Sequence, residues 1–411
     1  MPSQADAVVI GAGALGLSTA YHLASMGLRE VVVLDRFAPG SQASPRAAGL
    51  FKQIQTDITR TRLAALSIQK VTNFAAETGV DLPVQRSGSI LAARTQKYAE
   101  IVRVEAAQAQ AWGVDLALLD SDEAHRLMPY LEAGTTAAAC YTPGDVYIEE
   151  PASLLMAYLQ AGAKLGVTVL GNTPVTGIRV KNGEVVGALT SEGSIATPIV
   201  VDAAGAWARQ VGSLADAQVI VAPIRHQLYI TDPILGVEPT YPILRSIDTA
   251  VYIRPARGGL MFGAFEKDPL PLDPRERGSS FSMDDVPLEL AVLERLTESV
   301  VDQVPALHGA TVNEHRGGLF TMTSDGQFIV GPQPGVAGLW SATGCNGSGF
   351  SLSPAIGQVL AEWIVTGAAS MDLSALAPGR FARVRDEDWL REAAVWQYSH
   401  YYERGEPPAR A

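Results

Sequence analysis

Runs of consecutive hydrophobic residues open this chain, separated by a stretch with helical spacing. Residues 6–10 (DAVVI) and 31–35 (VVVLD) are short apolar runs typical of strands that are covered on both faces of a sheet. Residues 14–26, between them, place apolar side chains on one side of a helix, and Gly27 follows as a stop signal. The pattern predicts a strand–helix–strand unit with two parallel strands and a right-handed crossover.

The middle of the chain mixes helical and extended patterns. Residues 41–62 predict a loop that leads into a helix, and helical spacing continues to about Tyr130 and returns over 151–164. Asn182 and Gly183, between two alternating runs, are a strong signal for a two-residue hairpin turn. The strands predicted after the first two are 87–93, 167–170, 175–180, 184–189, 199–203, 227–231, 250–255 and 259–265.

Two later segments have signatures of their own. Pro, Gly and charged residues cluster over 267–285, which predicts an excursion on the surface. Ser353 and Pro354 are the residue types of a helix cap and a first helical position. A helix is therefore predicted from there to Trp363, with Gly367 as its stop.

Composition narrows the class of protein. The 411 residues are 47% hydrophobic, enough for a large core, and the net charge of −12 without dense Lys or Arg runs argues against nucleic-acid binding. Cys140 and Cys345 form no disulfide framework, which favours a reducing compartment. No apolar run approaches the roughly 18 residues of a membrane span, and residues 1–6 do not resemble a signal peptide. We expect a cytoplasmic protein with no integral membrane segment.

The first candidate chemistry lies directly after the first strand. Residues 11–16 (GAGALG) fit the pattern G-x-G-x-x-G and open the predicted helix. Gly11 permits a tight turn, Gly13 lets the backbone approach a pyrophosphate, and Gly16 allows close packing of helix on strand. Asp35, at the end of the second strand, is placed to accept hydrogen bonds from an adenosine ribose. This pattern alone does not separate FAD from NAD.

Two downstream segments favour FAD. Residues 200–207 (VVDAAGAW) and 342–350 (ATGCNGSGF) are further strand ends rich in glycine, far from the first motif. An NAD enzyme usually completes its nucleotide domain in one continuous stretch, so a discontinuous set indicates a flavin. The later segment leads into a predicted helix, whose N-terminal dipole would stabilise a reduced flavin anion at its pyrimidine side.

With these segments quoted, the chain resembles the D-amino-acid-oxidase-like superfamily of flavoenzymes, and within it the branch of sarcosine and dimethylglycine dehydrogenases and oxidases. The matching stretches are GAGALGLSTAYHLA, VVDAAGAWA, HQLYITDPI with PILRSIDTAVYIRPARGGLMFGAFE, and SDGQFIVGP followed by LWSATGCNGSGFSLSPAIGQVLAEWI. The resemblance implies an α/β fold, in which a Rossmann-like FAD-binding domain is interleaved with an α+β substrate domain on a mixed β-sheet. The implied boundaries are 1–85, 140–220 and 325–375 for the FAD domain, 86–139 and 221–324 for the substrate domain, and 376–411 for a C-terminal helical tail.

The motifs and the resemblance together give a set of residues expected to bind FAD. The set covers the first glycine motif, the second strand end, a loop after it and the two later glycine segments. Its members are Gly11, Gly13, Ala14, Leu15, Gly16, Asp35, Arg36, Ser44, Arg46, Ala47, Ala48, Gly49, Leu50, Val175, Ala204, Gly205, Trp207, Gly344, Asn346, Gly347, Ser348, Gly349 and Phe350.

The resemblance also suggests the residues of the reaction site. His226 and Tyr252 match the His and Tyr that lie beside substrate in dimethylglycine-oxidase-like enzymes, and an imidazole there would orient or deprotonate an amine. Arg254 lies on the same face of its strand as Tyr252 and is a candidate for a substrate carboxylate, as is Arg316. Arg225 is a rival for that role.

Departures from the relatives change the expected chemistry. Arg46 stands where several relatives anchor FAD through a His, and Gly318 stands where others use a Cys, so we expect FAD to be held non-covalently. Met261 replaces a Lys that assists oxygen reduction, and Ser351 replaces a Lys that binds the substrate carboxylate. The chain ends about where dimethylglycine enzymes begin a folate-binding domain, so one-carbon capture is not expected within this polypeptide.

The leading hypothesis is oxidation of a secondary or tertiary N-alkyl amino acid. The neutral amine would give a hydride from the carbon next to nitrogen to flavin N5, and the iminium would hydrolyse to an aldehyde and a dealkylated amine. The electron acceptor is oxygen or an electron carrier. The rivals are a glycine or D-amino acid oxidase or dehydrogenase, an NAD(P)H-dependent flavin monooxygenase, and a flavoprotein of binding or assembly. The histidine spacing predicts no metal site.

Overall fold

The computed structural model describes residues 1–381 and 386–403 of the chain. The strands are β1 Ala7–Ile10, β2 Val31–Leu34, β3 Leu50–Phe51, β4 Ser89–Ala93, β5 Ala117–Leu119, β6 Ala138–Thr142, β7 Val146–Tyr147, β8 Thr168–Leu170, β9 Val175–Lys181, β10 Glu184–Thr190, β11 Gly193–Ile195, β12 Val200–Asp202, β13 Ala222–Thr231, β14 Ile243–Ser246, β15 Val251–Ala256, β16 Gly259–Ala264, β17 Val312–Met322, β18 Ile329–Pro332 and β19 Leu339–Thr343. The helices are α1 Ala14–Ser25, α2 Ile58–Thr72, α3 Phe74–Thr78, α4 Gln96–Ala111, α5 Ser121–Leu127, α6 Ala152–Lys164, α7 Ala208–Ser213, α8 Leu290–Glu298, α9 Gly349–Thr366 and α10 Glu387–Ser399.

A six-stranded sheet carries the first predicted unit. Its order is β18-β19-β12-β1-β2-β8, with β1 parallel to both β2 and β12. Because Ile10 pairs with both Leu34 and Asp202, the carboxyl ends of three strands meet at one edge. Helices α1, α6 and α9 cover one face with a shared apolar core, and the hairpin β9–β10 packs on the other. The predicted strand–helix–strand unit is confirmed.

An eight-stranded sheet forms the second layer, in the order β17-β13-β16-β15-β14-β4-β6-β5. β14 pairs with β4 in parallel, while β13 pairs antiparallel with both β16 and β17, so this sheet is mixed as expected. All four strands β13 to β16 are buried along their whole length because helices cover one face and the six-stranded unit approaches the other. The fold class predicted from the sequence is confirmed, whereas the exact domain boundaries stay a prediction.

The chain passes between the two sheets several times. β1 and β2 belong to the six-stranded sheet, β4 to β6 to the eight-stranded sheet, and β8 and β12 to the first sheet again. β6 spans residues 138–142, which includes the point where we had drawn a domain boundary. The turn at Asn182 and Gly183 has positive φ at both positions, 54° and 81°, as the hairpin prediction requires.

The position of α9 corrects a prediction. The helix begins at Gly349, five residues before Pro354, the expected first helical position, and Pro354 lies inside it. A proline there lacks the N–H that would bond the carbonyl of Phe350. The hydroxyl of Ser353 donates to that carbonyl at 2.9 Å instead, so the two residues repair the second turn rather than start the helix.

The segment 267–285 is also not wholly a surface excursion. Leu272, Phe281 and Met283 are buried and pack with Trp207 in one apolar cluster. These apolar side chains, scattered among charged ones, anchor the segment over the end of the six-stranded sheet. Cys140 and Cys345 are free thiols. No helix in the described part of the chain is long and apolar enough to cross a membrane.

Candidate active site

A cavity of about 460 Å³ lies between the carboxyl edge of the six-stranded sheet and one face of the eight-stranded sheet. Its position matches the crevice at strand ends where open α/β sheets bind ligands. Of the residues expected from the sequence, those that line it are Gly11, Gly13, Ala14, Leu15, Asp35, Arg36, Ser44, Arg46, Ala47, Ala48, Gly49, Leu50, Val175, Ala204, Gly205, Trp207, Gly347, Gly349, Phe350, His226, Tyr252 and Arg316.

The glycine motif forms a cradle of bare backbone. Gly11 has φ +107°, and a Cβ on it would lie 2.5 Å from the carbonyl oxygen of Ala203 on the neighbouring strand end. A Cβ on Gly16 would lie 1.9 Å from the carbonyl oxygen of Gly11, so Gly16 lines no cavity but lets α1 approach the turn. The N-terminus of α1 therefore opens onto the cavity beside the hydroxyl of Ser44, an arrangement that suits a pyrophosphate.

The second strand end supplies an acidic group. Asp35 accepts hydrogen bonds from the backbone N–H of Ala12 at 2.7 Å and of Phe37 at 2.8 Å. Burial raises the pKa of this carboxyl, and the two N–H donors oppose the shift. The bonds fix the carboxyl at the position where a ribose hydroxyl can donate to its remaining lone pairs. Arg36 stacks between Phe37 and Trp207, with its Cζ 5.2 Å and 5.7 Å from their rings.

The loop after β2 covers the middle of the cavity. The hydroxyl of Ser44 accepts a hydrogen bond from the N–H of Ala14 at 3.0 Å, tying the loop to the first turn of α1. Arg46 donates to the carbonyls of Ser41 and Gln42 at 3.0 Å and 2.8 Å and pairs with Asp284. The Arg46 side chain thus holds the loop together.

The last glycine segment divides into lining and supporting residues. Gly347, Gly349 and Phe350 line the cavity, whereas Gly344, Asn346 and Ser348 lie behind it. Asn346 accepts from the N–H of Thr323 at 2.9 Å and donates to the carbonyl of Gly344 at 2.7 Å, so its side chain shapes the turn into α9. We expected all six to touch cofactor, and the supporting role of these three was not visible in the pattern.

These elements fit a flavin dinucleotide. Backbone of the glycine motif and the hydroxyl of Ser44 line the cavity at the first strand end, and the N-termini of α1 and α9 both reach the cavity. The hydroxyl of Thr343 lines the same cavity and, among the described residues, is buried without a hydrogen-bond partner. A ligand with polar edges would satisfy it.

His226 and Tyr252 lie together on the face of the eight-stranded sheet. The His226 Nε2 atom is 2.8 Å from the Tyr252 hydroxyl, and its Nδ1 atom is 2.7 Å from the hydroxyl of Tyr398. Phe320 stacks on the imidazole, with ring centroids 4.2 Å apart. Burial lowers the pKa of His226 to about 3, so the ring is neutral at physiological pH.

The two candidate arginines have different surroundings. Arg316 lines the cavity, where it donates to the carbonyl of Ala47 at 3.1 Å and lies 3.3 Å from Glu314, and its Nε is buried with no partner among the described residues. Arg254 does not line the cavity. Its guanidinium donates to the carbonyls of Ala48, Pro255 and Glu149 at 2.6–2.9 Å, and burial lowers its pKa to about 10. Arg254 therefore supports the sheet and the loop above it.

The rival Arg225 is also placed away from the cavity. It pairs with Glu266 at 2.9 Å and with Glu289 at 2.5 Å, so its charge is already balanced. Met261 is buried behind Ala48 and does not line the cavity either, whereas Gly318 and Ser351 do.

Two cations near the site were missed by the sequence analysis. Lys52 lines the cavity with its Nζ 5.5 Å from the ring of Tyr401, and no salt bridge to it exists among the described residues. Arg245 pairs with Tyr252 across the sheet and is 3% exposed, and its Nε and Nη2 have no partner in the described part of the chain. Arg245 lies on β14, between the predicted strands 227–231 and 250–255, where the sequence analysis gave no strand.

The C-terminal segment also contributes to the site, which no pattern had indicated. Tyr401 and Tyr402 line the cavity, and Tyr401 stacks on Phe265 with ring centroids 3.9 Å apart. Burial raises the pKa of Tyr401, but the charges of Lys52, Arg60 and Arg245 and a hydrogen bond with Ser348 together lower it to about 8. Three tyrosines within residues 398–402 were the available signal. The described residues contain no group of His, Cys, Asp and Glu suited to a metal ion.

Comparisons with known proteins agree with this geometry. The family model described as "DAO: FAD dependent oxidoreductase" matches residues 6–363. The chain is 30% identical over 92% of its length to mitochondrial dimethylglycine dehydrogenase of Rattus norvegicus, and 30% identical over 98% to mitochondrial sarcosine dehydrogenase of Homo sapiens. It covers 45% and 44% of those two proteins, so it spans somewhat less than half the length of these curated relatives.

A solved structure gives a match in length as well as in fold. The L-proline dehydrogenase of P. horikoshii has a TM-score of 0.84 and 25% sequence identity to this chain, covering 93% of it and 99% of the other chain. The fold is therefore shared over nearly the full length of both chains.

Proposed function

We propose that this chain, which belongs to the DAO family of FAD-dependent oxidoreductases, oxidises a C–N bond of a secondary or tertiary N-alkyl amino acid similar to sarcosine or dimethylglycine. The family makes it an FAD-dependent enzyme that acts on amines or amino acids. The observation that carries the narrower proposal is the neutral His226–Tyr252 pair in an aromatic wall of the cavity.

The charge of the cavity supports an amine that reacts in its neutral form. Asp35 lines the nucleotide end, and no other carboxylate is among the described residues that line the cavity. Lys52 and Arg316 line its substrate end, and two cations disfavour an ammonium nearby. An ammonium has no lone pair to stabilise an iminium, so the same charges favour the reactive form. They also attract a carboxylate.

His226 is better suited to orient the amine than to take its proton. A pKa of about 3 makes the imidazole a weak base at neutral pH. Of the two roles suggested by the sequence, orienting the amine is therefore favoured over deprotonating it. Tyr252, bonded to His226, has its pKa raised by burial and so keeps its hydroxyl proton. Its hydroxyl is a fixed polar point against which an amine can be aligned.

Aromatic side chains suit the alkyl groups on nitrogen. Phe265, Phe320, Tyr401 and Tyr402 line the cavity around His226. They offer apolar surface and ring faces, with few groups that would bond the N–H of a primary amine.

The proposed reaction is balanced in atoms and electrons. FAD, when bound, accepts the hydride from the carbon next to nitrogen. The substrate loses two electrons and becomes an iminium, and water adds to its carbon. The C–N bond then breaks to give an aldehyde, the dealkylated amine and a proton. Lys52 and Arg316 would hold the carboxylate while Tyr252 and His226 orient the nitrogen. Oxygen or an electron carrier would take the electrons from the enzyme.

An anaerobic absorbance titration of the purified flavoprotein tests this proposal. Sarcosine, dimethylglycine and longer N-methyl amino acids should bleach the flavin band and release formaldehyde, and readmission of air should separate an oxidase from a dehydrogenase. Tyr252→Phe should slow bleaching about 100-fold while FAD stays bound, because it removes one positioned polar group.

Other outcomes point to other enzymes. Bleaching by glycine or D-alanine alone, with release of ammonia, would contradict the proposal and favour a primary-amine enzyme of the same family. Bleaching by NADPH alone would favour a monooxygenase. Flavin that no amine or nicotinamide reduces would favour a binding protein.

A further inference from the structure

Both ring nitrogens of His226 are hydrogen-bonded to tyrosines, and the two tyrosines come from distant parts of the chain. Tyr252 is on β15 and lines the cavity, whereas Tyr398 is on α10 and is fully buried behind the imidazole. The two distances, 2.8 Å and 2.7 Å, are both short enough for well-formed bonds.

We infer that Tyr398 is a positioning residue that donates to Nδ1 of His226, so that the imidazole carries its proton on Nε2 and turns the hydroxyl hydrogen of Tyr252 into the cavity. This inference rests on the proposed function for its catalytic consequence, although the tautomer itself does not depend on the substrate.

The number of available hydrogens decides which tyrosine donates to the imidazole and which accepts from it. A neutral imidazole has one N–H and one bare nitrogen, so one tyrosine donates to the ring and the other accepts from it. The Tyr398 hydroxyl is buried, and within the described residues Nδ1 of His226 is the acceptor at hydrogen-bonding distance from it. If the ring donated to Tyr398 instead, the hydrogen of that hydroxyl would be buried without an acceptor, whereas Tyr252 lines the cavity, where a ligand or water can accept its hydrogen.

The direction of the second hydrogen bond, between His226 and Tyr252, then follows. If Nδ1 accepts, Nε2 carries the proton and donates to the oxygen of Tyr252. The hydrogen of Tyr252 is then free to point at a ligand in the cavity, where a lone pair of the neutral amine would accept it. In the opposite tautomer the hydroxyl of Tyr252 donates its hydrogen to Nε2 of His226 and presents only lone pairs to the cavity.

The position of Tyr398 is fixed by its helix. Leu390, Ala394 and Tyr398 are buried on one side of α10, in the apolar cluster that also contains Ile224 and Tyr252 of the eight-stranded sheet. Asp386 caps the first turn by accepting from the N–H of Trp389 at 2.9 Å. Glu387 pairs at the surface with Arg209 at 2.6 Å, which holds the start of the helix on the rest of the molecule.

The first measurement is kinetic and uses Tyr398→Phe in the full chain with FAD bound. Turnover kcat should fall about 10-fold, within the range seen when the hydrogen-bond partner of a functional His is removed, and KM should change less than twofold. The reason is that the ring keeps its packing and the cavity wall keeps its residues.

The matched control is Tyr229→Phe. Tyr229 is on the same strand as His226, is 3% exposed, and also makes one side-chain hydroxyl bond, at 2.7 Å to Thr297. It packs in the apolar cluster on the other face of the sheet, so its loss should leave kcat unchanged. Equal effects of the two variants would overturn the inference, as would an unchanged kcat in Tyr398→Phe.

The second measurement reads the tautomer directly and needs no substrate. In protein labelled with ¹⁵N-histidine, with the signal of His226 assigned by its loss in His226→Gln, Nε2 should be the protonated nitrogen. Tyr398→Phe should mix or reverse the two nitrogen shifts, and Tyr252→Phe should not. A wild-type ring protonated at Nδ1 would overturn the inference even if Tyr398→Phe failed to fold. If no N-alkyl amine reduced the flavin, the proposed function would fail while the tautomer result stood.

Discussion

The two halves of the cavity are lined differently, one by backbone atoms and the other by side chains. The nucleotide half, at the edge of the six-stranded sheet, presents backbone: Gly11 and Gly16 hold atoms so close that a Cβ at either would meet a carbonyl oxygen within 2.5 Å. The substrate half, on the eight-stranded sheet, presents side chains, with His226 and Tyr252 joined by a 2.8 Å hydrogen bond. A backbone site depends on sterics that a single methyl group abolishes, whereas a side-chain site loses its function one contact at a time.

This difference also separates what each half recognises. Backbone N–H groups and a helix dipole bind phosphates of any dinucleotide, so the nucleotide half is generic. Fixed hydroxyls, ring faces and cations discriminate between substrates by shape and charge. We therefore expect changes in the nucleotide half to remove cofactor altogether and changes in the substrate half to alter rate or affinity by measurable factors.

The largest effect is expected for Gly11→Ala. The methyl group would lie 2.5 Å from the carbonyl oxygen of Ala203, and the backbone would have to keep φ near +107°, which non-glycine residues rarely adopt. We expect the purified variant to contain almost no FAD and to have a lower Tm. Flavin content by absorbance and a thermal melt measure the two effects.

Gly27→Ala is the control that separates the two causes. Gly27 ends the same first helical unit with nearly the same φ, +103°, but has no atom within 4 Å of an added Cβ. It should retain FAD and lose only about 1 kcal/mol through backbone strain. Loss of flavin in both variants would mean that strain rather than the close approach matters, and the backbone account of the nucleotide half would fall.

The contrast between the halves explains how far the sequence could be interpreted. The glycine motif, Asp35 and the later glycine segments are local patterns, because each turn is determined by a few consecutive residues. Both the parallel unit and its role in binding a dinucleotide were therefore predictable. The start of α9 was not, because Ser353 compensates for Pro354 through a contact that only a formed helix provides.

In the substrate half the same reasoning placed His226 and Tyr252 on strands that line the cavity, but it did not distinguish between Arg254 and Arg316 as candidates for the substrate carboxylate. Arg254 shares a strand face with Tyr252, but the loop at Ala48 covers it and backbone carbonyls take its donors. Lys52, Tyr401 and Tyr402 reach the cavity from distant elements, and no local pattern encodes that contact. The periodicity of a strand predicts on which face of the sheet a side chain lies. The loops packed on that face determine which of these side chains can contact a ligand.

A smaller effect is expected for Lys52→Met, in the substrate half. If Lys52 helps hold the substrate carboxylate, KM should rise about 10-fold with kcat nearly unchanged, because removing a binding contact made equally in ground and transition states affects KM alone. FAD content should not change. Burial raises the pKa of the Tyr401 phenol, and Lys52 contributes the largest of the opposing effects that bring it to about 8, so the phenol should then titrate at a higher pH.

Lys97→Met provides a matched control for this variant. Lys97 Nζ also lies over a tyrosine ring, at 5.0 Å from that of Tyr98, but both are away from the cavity. Its removal should change neither KM nor the near-ultraviolet titration that reports Tyr401. If Lys52→Met left KM unchanged, the carboxylate would be assigned to Arg316 alone.

The smallest effect concerns acid stability, and here the two halves should behave alike. His22 on α1 and His226 on β13 are 3% and 5% exposed, and burial lowers the pKa of each to about 3. The unfolded chain takes up a proton at each histidine near pH 6.5, whereas the folded chain does not until about pH 3. Each group therefore leaves stability unchanged above pH 7 and lowers it as the pH falls below 6.5. From pH 7 to pH 5 the loss is about 2 kcal/mol per histidine. Denaturant unfolding at the two pH values should show that loss reduced by about this amount in His22→Gln and in His226→Gln. A reduction in only one variant would mean that the histidine of the other half takes up its proton at about the same pH in the folded and in the unfolded chain, so that the two halves differ in how well they exclude a charge.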